Sequence, residues 1–87
     1  MPNAIYRYEI PVDDQWHELE LTGAVLHTAA RTPDVVELWA LHTTSPTPRR
    51  SFRVFGTGQP LPAEPLRHVG TALTAHGALV WHVMERV

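Results

Sequence analysis

The spacing of turn-forming residues limits this chain more than any other feature. They fall at Val12-Asp13-Asp14-Gln15, Thr22-Gly23, Thr32-Pro33-Asp34, Thr43 to Pro48, Gly56 to Pro65 and Ala75-His76-Gly77. Between them lie runs of only about six to ten residues, the interval expected of an all-β domain.

The runs carry the matching period of two. In Ala4 to Ile10, Tyr6, Tyr8 and Ile10 alternate with Ile5, Arg7 and Glu9; in Trp16 to Leu21, His17, Leu19 and Leu21 oppose Trp16, Glu18 and Glu20. Phe52 and Val54 oppose Arg53 and Phe55 in Ser51 to Phe55. Such alternation is what a strand with one wet face requires. Val35 to His42 and Ala78 to Met84 are apolar on both faces and belong centrally or at a subunit contact. Ala24 to Arg31 reads as a weaker, alanine-rich strand.

The segment 66–74 fits two descriptions. Leu66, Val69, Gly70 and Leu73 have helical spacing, and Glu64-Pro65 suits a helix start. Gly70 opposes a helix interior, and Thr71 and Thr74 suit a strand. Two proline-bearing stretches, Thr43 to Pro48 and Gln59 to Leu66, read as loops, the second running extended over the surface.

At 87 residues the chain holds one core, so residues 1–87 are expected to form a single all-β domain. No apolar run is long enough for a membrane helix, and the Met1-Pro2-Asn3-Ala4 start shows no signal peptide. The absence of cysteine excludes disulfides and thiolate zinc sites, and the expected location is cytoplasmic. The formal net charge of −2 argues against a nucleic-acid partner. Every basic residue is arginine: Arg7, Arg31, Arg49, Arg50, Arg53, Arg67 and Arg86. Arginine suits bidentate contacts to carboxylate or phosphate, but these are scattered. Their bias is read first as that of a GC-rich bacterial or phage genome.

The second half carries a recognisable pattern: Phe52-Arg53-Val54-Phe55-Gly56-Thr57-Gly58-Gln59-Pro60, then His68-Val69-Gly70-Thr71, then Leu79-Val80-Trp81-His82-Val83 with Glu85. It resembles a family of short bacteriophage, prophage and actinobacterial proteins with an F-R-[VI]-[FY]-G-T-G-x-P segment and a closing V-W-H or V-F-H strand. The opening Tyr6 to Asp14 is similar as well. The resemblance implies a strand at 66–74 and a phage-related origin; it implies no activity and no catalytic residues.

Individual motifs point less firmly. Gly56-Thr57-Gly58 follows a strand, but Pro60, Pro62 and Pro65 deny the helix N-terminus that a phosphate loop needs. Of the six histidines, His27, His42 and His82 sit in expected strands and form the candidate metal trio, although no HxH or HxxxH pair supports it. Ser45 and Ser51 lack a nucleophile elbow, and Asp13-Asp14 and Glu18/Glu20 read as a turn and a solvated face. Arg49 to Phe55 sets charge beside an aromatic, which suits either base stacking or an ordinary strand entry. Trp39 and Trp81 lie on the doubly apolar strands, whose second faces want a cover such as another subunit.

The expectation is therefore an all-β domain of about seven antiparallel strands, a small sandwich or barrel. Its function is read as a non-enzymatic interaction module, self-associating through apolar strand faces, with Trp39, Leu41, Arg49, Arg53, Phe55, Val80 and Trp81 as partner-binding residues. The partner is a second copy or another protein, with no nucleic acid, no membrane and no cofactor. The alternatives are a small-ligand or nucleic-acid binder using the Arg49–Phe55 strand and the Gly56–Pro62 loop, and the histidine metal site.

Overall fold

The computed structural model describes residues 3–44 and 48–87. Part of the loop expected at Thr43 to Pro48, including Ser45, and the Met1-Pro2 start lie outside the described residues. The described chain is all strand: β1 (Ala4–Pro11), β2 (His17–Leu19), β3 (Val25–Thr32), β4 (Val35–His42), β5 (Arg50–Gly56), β6 (Leu66–Leu73) and β7 (Val80–Arg86). They form two antiparallel sheets, one ordered β1-β4-β3 and the other β2-β5-β7-β6. Of the two all-β forms expected, sandwich or barrel, the chain adopts the sandwich.

Period-two patterning builds the core. Ile10 from β1, Val36, Leu38 and Ala40 from β4, and Ala30 from β3 point inward from the three-stranded sheet. Phe52 and Val54 from β5, Val83 from β7 and Ala72 from β6 meet them from the other sheet, with Leu21 from the β2–β3 connection. Fully burying a Phe, Leu or Val side chain contributes about 1.5–3 kcal/mol, so these few residues carry much of the stability of a small domain.

Segment 66–74 resolves as a strand, and the structure shows why its glycine is there. A bulge between His68 and Gly70 brings β6 against β3. A Cβ at Gly70 would stand 2.6 Å from Thr28 Cγ2, and the Thr28 hydroxyl donates to the Thr71 carbonyl at 2.9 Å. β3 and β6 thus form a seam joining the two sheets along one side. The Trp16–Leu21 run is shorter than expected, regular only over His17–Leu19.

The two doubly apolar strands are covered in different ways, which revises the expectation that Trp39 and Trp81 share one surface. The ladder pairs Gly56 with Trp81 and Val54 with Val83, so Trp81 turns inward and packs against the core. Trp39 lies on the outer face of the other sheet. There His27 approaches its ring at 5.8 Å, and the Arg31 guanidinium lies 5.8 Å from the ring centre.

Candidate ligand groove

Phe55 points away from the core, since alternation on β5 sends Phe52 and Val54 inward. A residue there should be wet, yet Phe55 is only 1% exposed. Its cover comes from two segments. Trp16 meets it edge-on at 6.2 Å, and Arg53 lays its guanidinium 4.5 Å from the Phe55 ring centre, an arrangement that favours a planar cation. From the other side, the chain after β5 folds back over the sheet.

That fold-back is pinned by Gln59. Its N–H donates to the Gly56 carbonyl at 3.1 Å, and its side-chain oxygen accepts from the Gly56 N–H at 3.0 Å. Its amide nitrogen donates to Asp14 at 3.1 Å. Gly58 takes φ +87°, a conformation that glycine adopts without a Cβ penalty. The glycines of the Gly-Thr-Gly run therefore serve a turn. No helix follows, as the prolines required.

Between this loop and the outward faces of β6 and β7 lies a groove of about 350 Å³. Phe55, Leu61 and Met84 supply apolar lining, and Thr57, His68 and His82 supply polar groups. The register places them: His68 pairs with Met84, and Thr71 with His82. A continuous polar chain runs along the groove. His68 Nε2 lies 3.0 Å from Thr71 Oγ1, which lies 3.1 Å from His82 Nδ1, while His82 Nε2 lies 2.8 Å from Thr57 Oγ1. Both nitrogens of His82 are thereby engaged, which fixes its ring plane.

The structure disperses most of the other candidates. His27 stands against Trp39, His42 stacks on Tyr6 at 4.3 Å, and His82 is in the groove, so the metal trio is not assembled. Among the described residues, no three His, Asp, Glu or Cys side chains are grouped to hold a metal ion. Of the partner-binding set, Phe55 lines the groove and Arg53 packs beside it. Val80 pairs with exposed Leu73, further along the same outer face. Leu41 shares the outer face of β4 with Trp39, Arg49 reaches Glu20 at 3.0 Å, and Trp81 is internal. The sequence reading missed Thr57, Thr71 and His68 as a set. Their signal was that Thr57, His68 and Thr71 fall, with His82, in the three segments of the recognised pattern; their meeting depends on a strand register that spacing does not reveal.

Each arginine lies within 3.8 Å of a carboxylate: Arg7 and Arg31 at Glu37, Arg49 at Glu20, Arg50 and Arg67 at Glu85, Arg53 at Asp14 and Arg86 at Glu64. Two pairings are bidentate forks. Arg50 donates to Glu85 at 2.6 and 2.9 Å, and Arg31 donates to Glu37 at 2.6 and 2.5 Å. The planar geometry of arginine is used internally.

Fold and groove together define a small two-sheet β-domain with an apolar, histidine-lined recess on one outer face. Over residues 1–87 the chain matches the family described as Domain of unknown function (DUF7352), and it belongs to that family. No curated protein and no solved structure matches it.

Proposed function

We propose that the protein is a non-enzymatic binding module whose ligand occupies the groove between the 56–61 loop and strands β6 and β7. The observation that carries this reading is Phe55, an outward-facing aromatic kept dry beneath a loop that leaves about 350 Å³ beside it. A recess of this size with an apolar floor and a few polar groups suits a small ligand with an apolar body and one hydrogen-bonding head. The His82 ring stands between two threonine hydroxyls rather than between a nucleophile and a carboxylate, which suits recognition better than acid–base catalysis. Arginines already matched by carboxylates favour this small-ligand reading over nucleic-acid binding. Within the same reading, the lack of cysteine supports a cytoplasmic setting, and the FRVFGTG and VWH segments support a phage or actinobacterial source.

The test is a two-dimensional amide spectrum during titration with small aromatic alcohols and carboxylates. Shifts are expected to cluster at Gly56 to Gln59, His68 and His82, and to vanish in Met84→Arg, which fills the recess with a charged chain. Shifts spread over the other sheet, or unchanged in Met84→Arg, would refute the assignment.

A further inference from the structure

The seam between β3 and β6 closes one side of the sandwich, but the opposite side ends in an open strand. β1 is eight residues long and pairs with β4 without a register shift. Among the described residues no strand pairs with its other edge. Edge strands of this length are normally blunted by charged side chains, above all lysine, by a bulge or by proline. β1 has no bulge, its proline is its last residue, and its two charges, Arg7 and Glu9, are of opposite sign; Ile5 and Tyr6 on it remain 60% and 48% exposed.

The direction of its unpaired groups follows from one hydrogen bond. The Val12 N–H donates to the Asp34 carbonyl at 2.8 Å, continuing the ladder one step beyond the Pro11–Val35 pair. In an antiparallel ladder, alternate residues bond to the same neighbour. Even-numbered residues of β1 therefore bond inward to β4, and the main-chain groups of Ile5, Arg7 and Glu9 face outward. Pro11, which has no N–H, falls on the outward side, where a missing donor costs the sheet nothing.

We infer that this edge pairs with a second copy of the chain, β1 against β1 antiparallel about a two-fold axis, with Arg7 opposite the partner's Glu9. The choice of occupant and register rests on charge. Pairing centred on Tyr8 puts Arg7 across from the partner's Glu9 twice, on the same outer face, with both residues in outward-bonding positions. Sliding the pair to centre on Arg7 or on Glu9 would put like charges directly opposite, which is destabilising. The strand is thus self-complementary in one register, as an isologous interface demands. Arg7 and Glu9 are half exposed and already 3.1 Å apart within one chain, so the cross-strand pair forms without uncovering either. The result doubles the three-stranded sheet into a continuous six-stranded one. Association then runs through a strand edge rather than through the apolar faces.

Sedimentation and hydrogen exchange across a concentration series test this. The wild-type chain is expected to dimerise, with the amides of Ile5, Arg7 and Glu9 protected only in the dimer and those of Tyr6 and Tyr8 protected in both states. Glu9→Pro removes an outward donor and no bond to β4; it should raise the dimer Kd by at least about tenfold while leaving a folded monomer. Glu9→Arg, which sets arginine opposite arginine, should do the same and decides the matter if the proline variant fails to fold. A wild-type monomer at every concentration overturns the inference. So does a dimer that survives Glu9→Arg, or equal protection of Ile5, Arg7 and Glu9 in monomer and dimer. Groove binding by the aromatic probes is independent of β1, so the two readings fail separately.

Discussion

Two glutamates in this domain sit between pairs of arginines, one facing the inside of the sandwich and one on its outer face; both are nearly covered, Glu37 at 5% exposure as well as Glu85, and the contrast separates two uses of the same chemistry. Glu85, on β7, faces the interior and is 3% exposed. Arg50 holds it through a two-point fork and also donates to the carbonyls of Leu21 and Gly23, tying β7 to the β2–β3 connection. Arg67 reaches the same carboxylate at 3.3 Å. Glu37, on β4, faces outward between Arg7 of β1 and Arg31 of β3, and so straps the three strands of one sheet. Burial pushes the Glu85 carboxyl up, but the hydrogen bond from Arg50 and the charges of Arg50 and Arg67 pull it below its ordinary value. For Glu37 the hydrogen bond from Arg31 dominates; with Arg7 it overcomes desolvation and holds the carboxyl at about 2. The inner cluster joins separate parts of the fold, whereas the outer one braces a sheet the ladder already holds.

The largest effect should come from Glu85→Ala. Removing one partner of a buried pair leaves arginine charge uncompensated and typically costs about 3–5 kcal/mol, so urea denaturation should show a loss of that order, with little folded protein at 37 °C. A loss no greater than that of Glu37→Ala would erase the distinction. Glu37→Ala should give a smaller drop in Tm, because Arg7 and Arg31 can turn to water; a larger drop would mean the outer strap carries the sheet.

Acid should sharpen the contrast next. A carboxylate whose folded value is depressed stabilises the fold fully above its unfolded value, about 4.5 for Glu37, and that contribution is lost as pH falls toward about 2. Melting curves should therefore fall steadily across this window, and Glu37→Gln should flatten the slope there. An unchanged slope in Glu37→Gln would assign the acid sensitivity elsewhere. The smallest effect is that of salt. Raising sodium chloride to about 1 M shortens the screening length to about 3 Å; this should narrow the Tm gap between wild type and Glu37→Ala while leaving the Glu85→Ala gap nearly intact. Equal narrowing of both gaps would place Glu85 in contact with solvent.

The sequence made the strands legible because alternation is local. Ala4 to Ile10 and Ser51 to Phe55 showed their inward faces, and the Ala75-His76-Gly77 turn marked the β6–β7 hairpin. The cover on Phe55 was hidden because Trp16 and the 57–61 loop reach it from opposite sides of β5 in sequence. Val35 to His42 reads as apolar on both faces because Trp39 and Leu41 flank the region of Glu37 without showing that two distant arginines clothe it. Trp81 follows the same logic: its direction is fixed by pairing with Gly56, and a shift of one residue would have turned it outward. His68 and His82 were visible as residues, but the threonine between them became part of a site only through the β6–β7 register.

β7 lies in the middle of its sheet, flanked by β5 and β6, yet it follows both in the chain. Until it arrives, β6 has no neighbour in that sheet, and Arg50 and Arg67 have no Glu85 to converge on. The three strands of the other sheet, β1, β3 and β4, all precede β5 in the chain. In the second sheet β2 and β5 pair directly, but β6 has no neighbour other than β7. The groove, whose lining includes His82 and Met84 of β7, therefore exists only once β7 lies between β5 and β6.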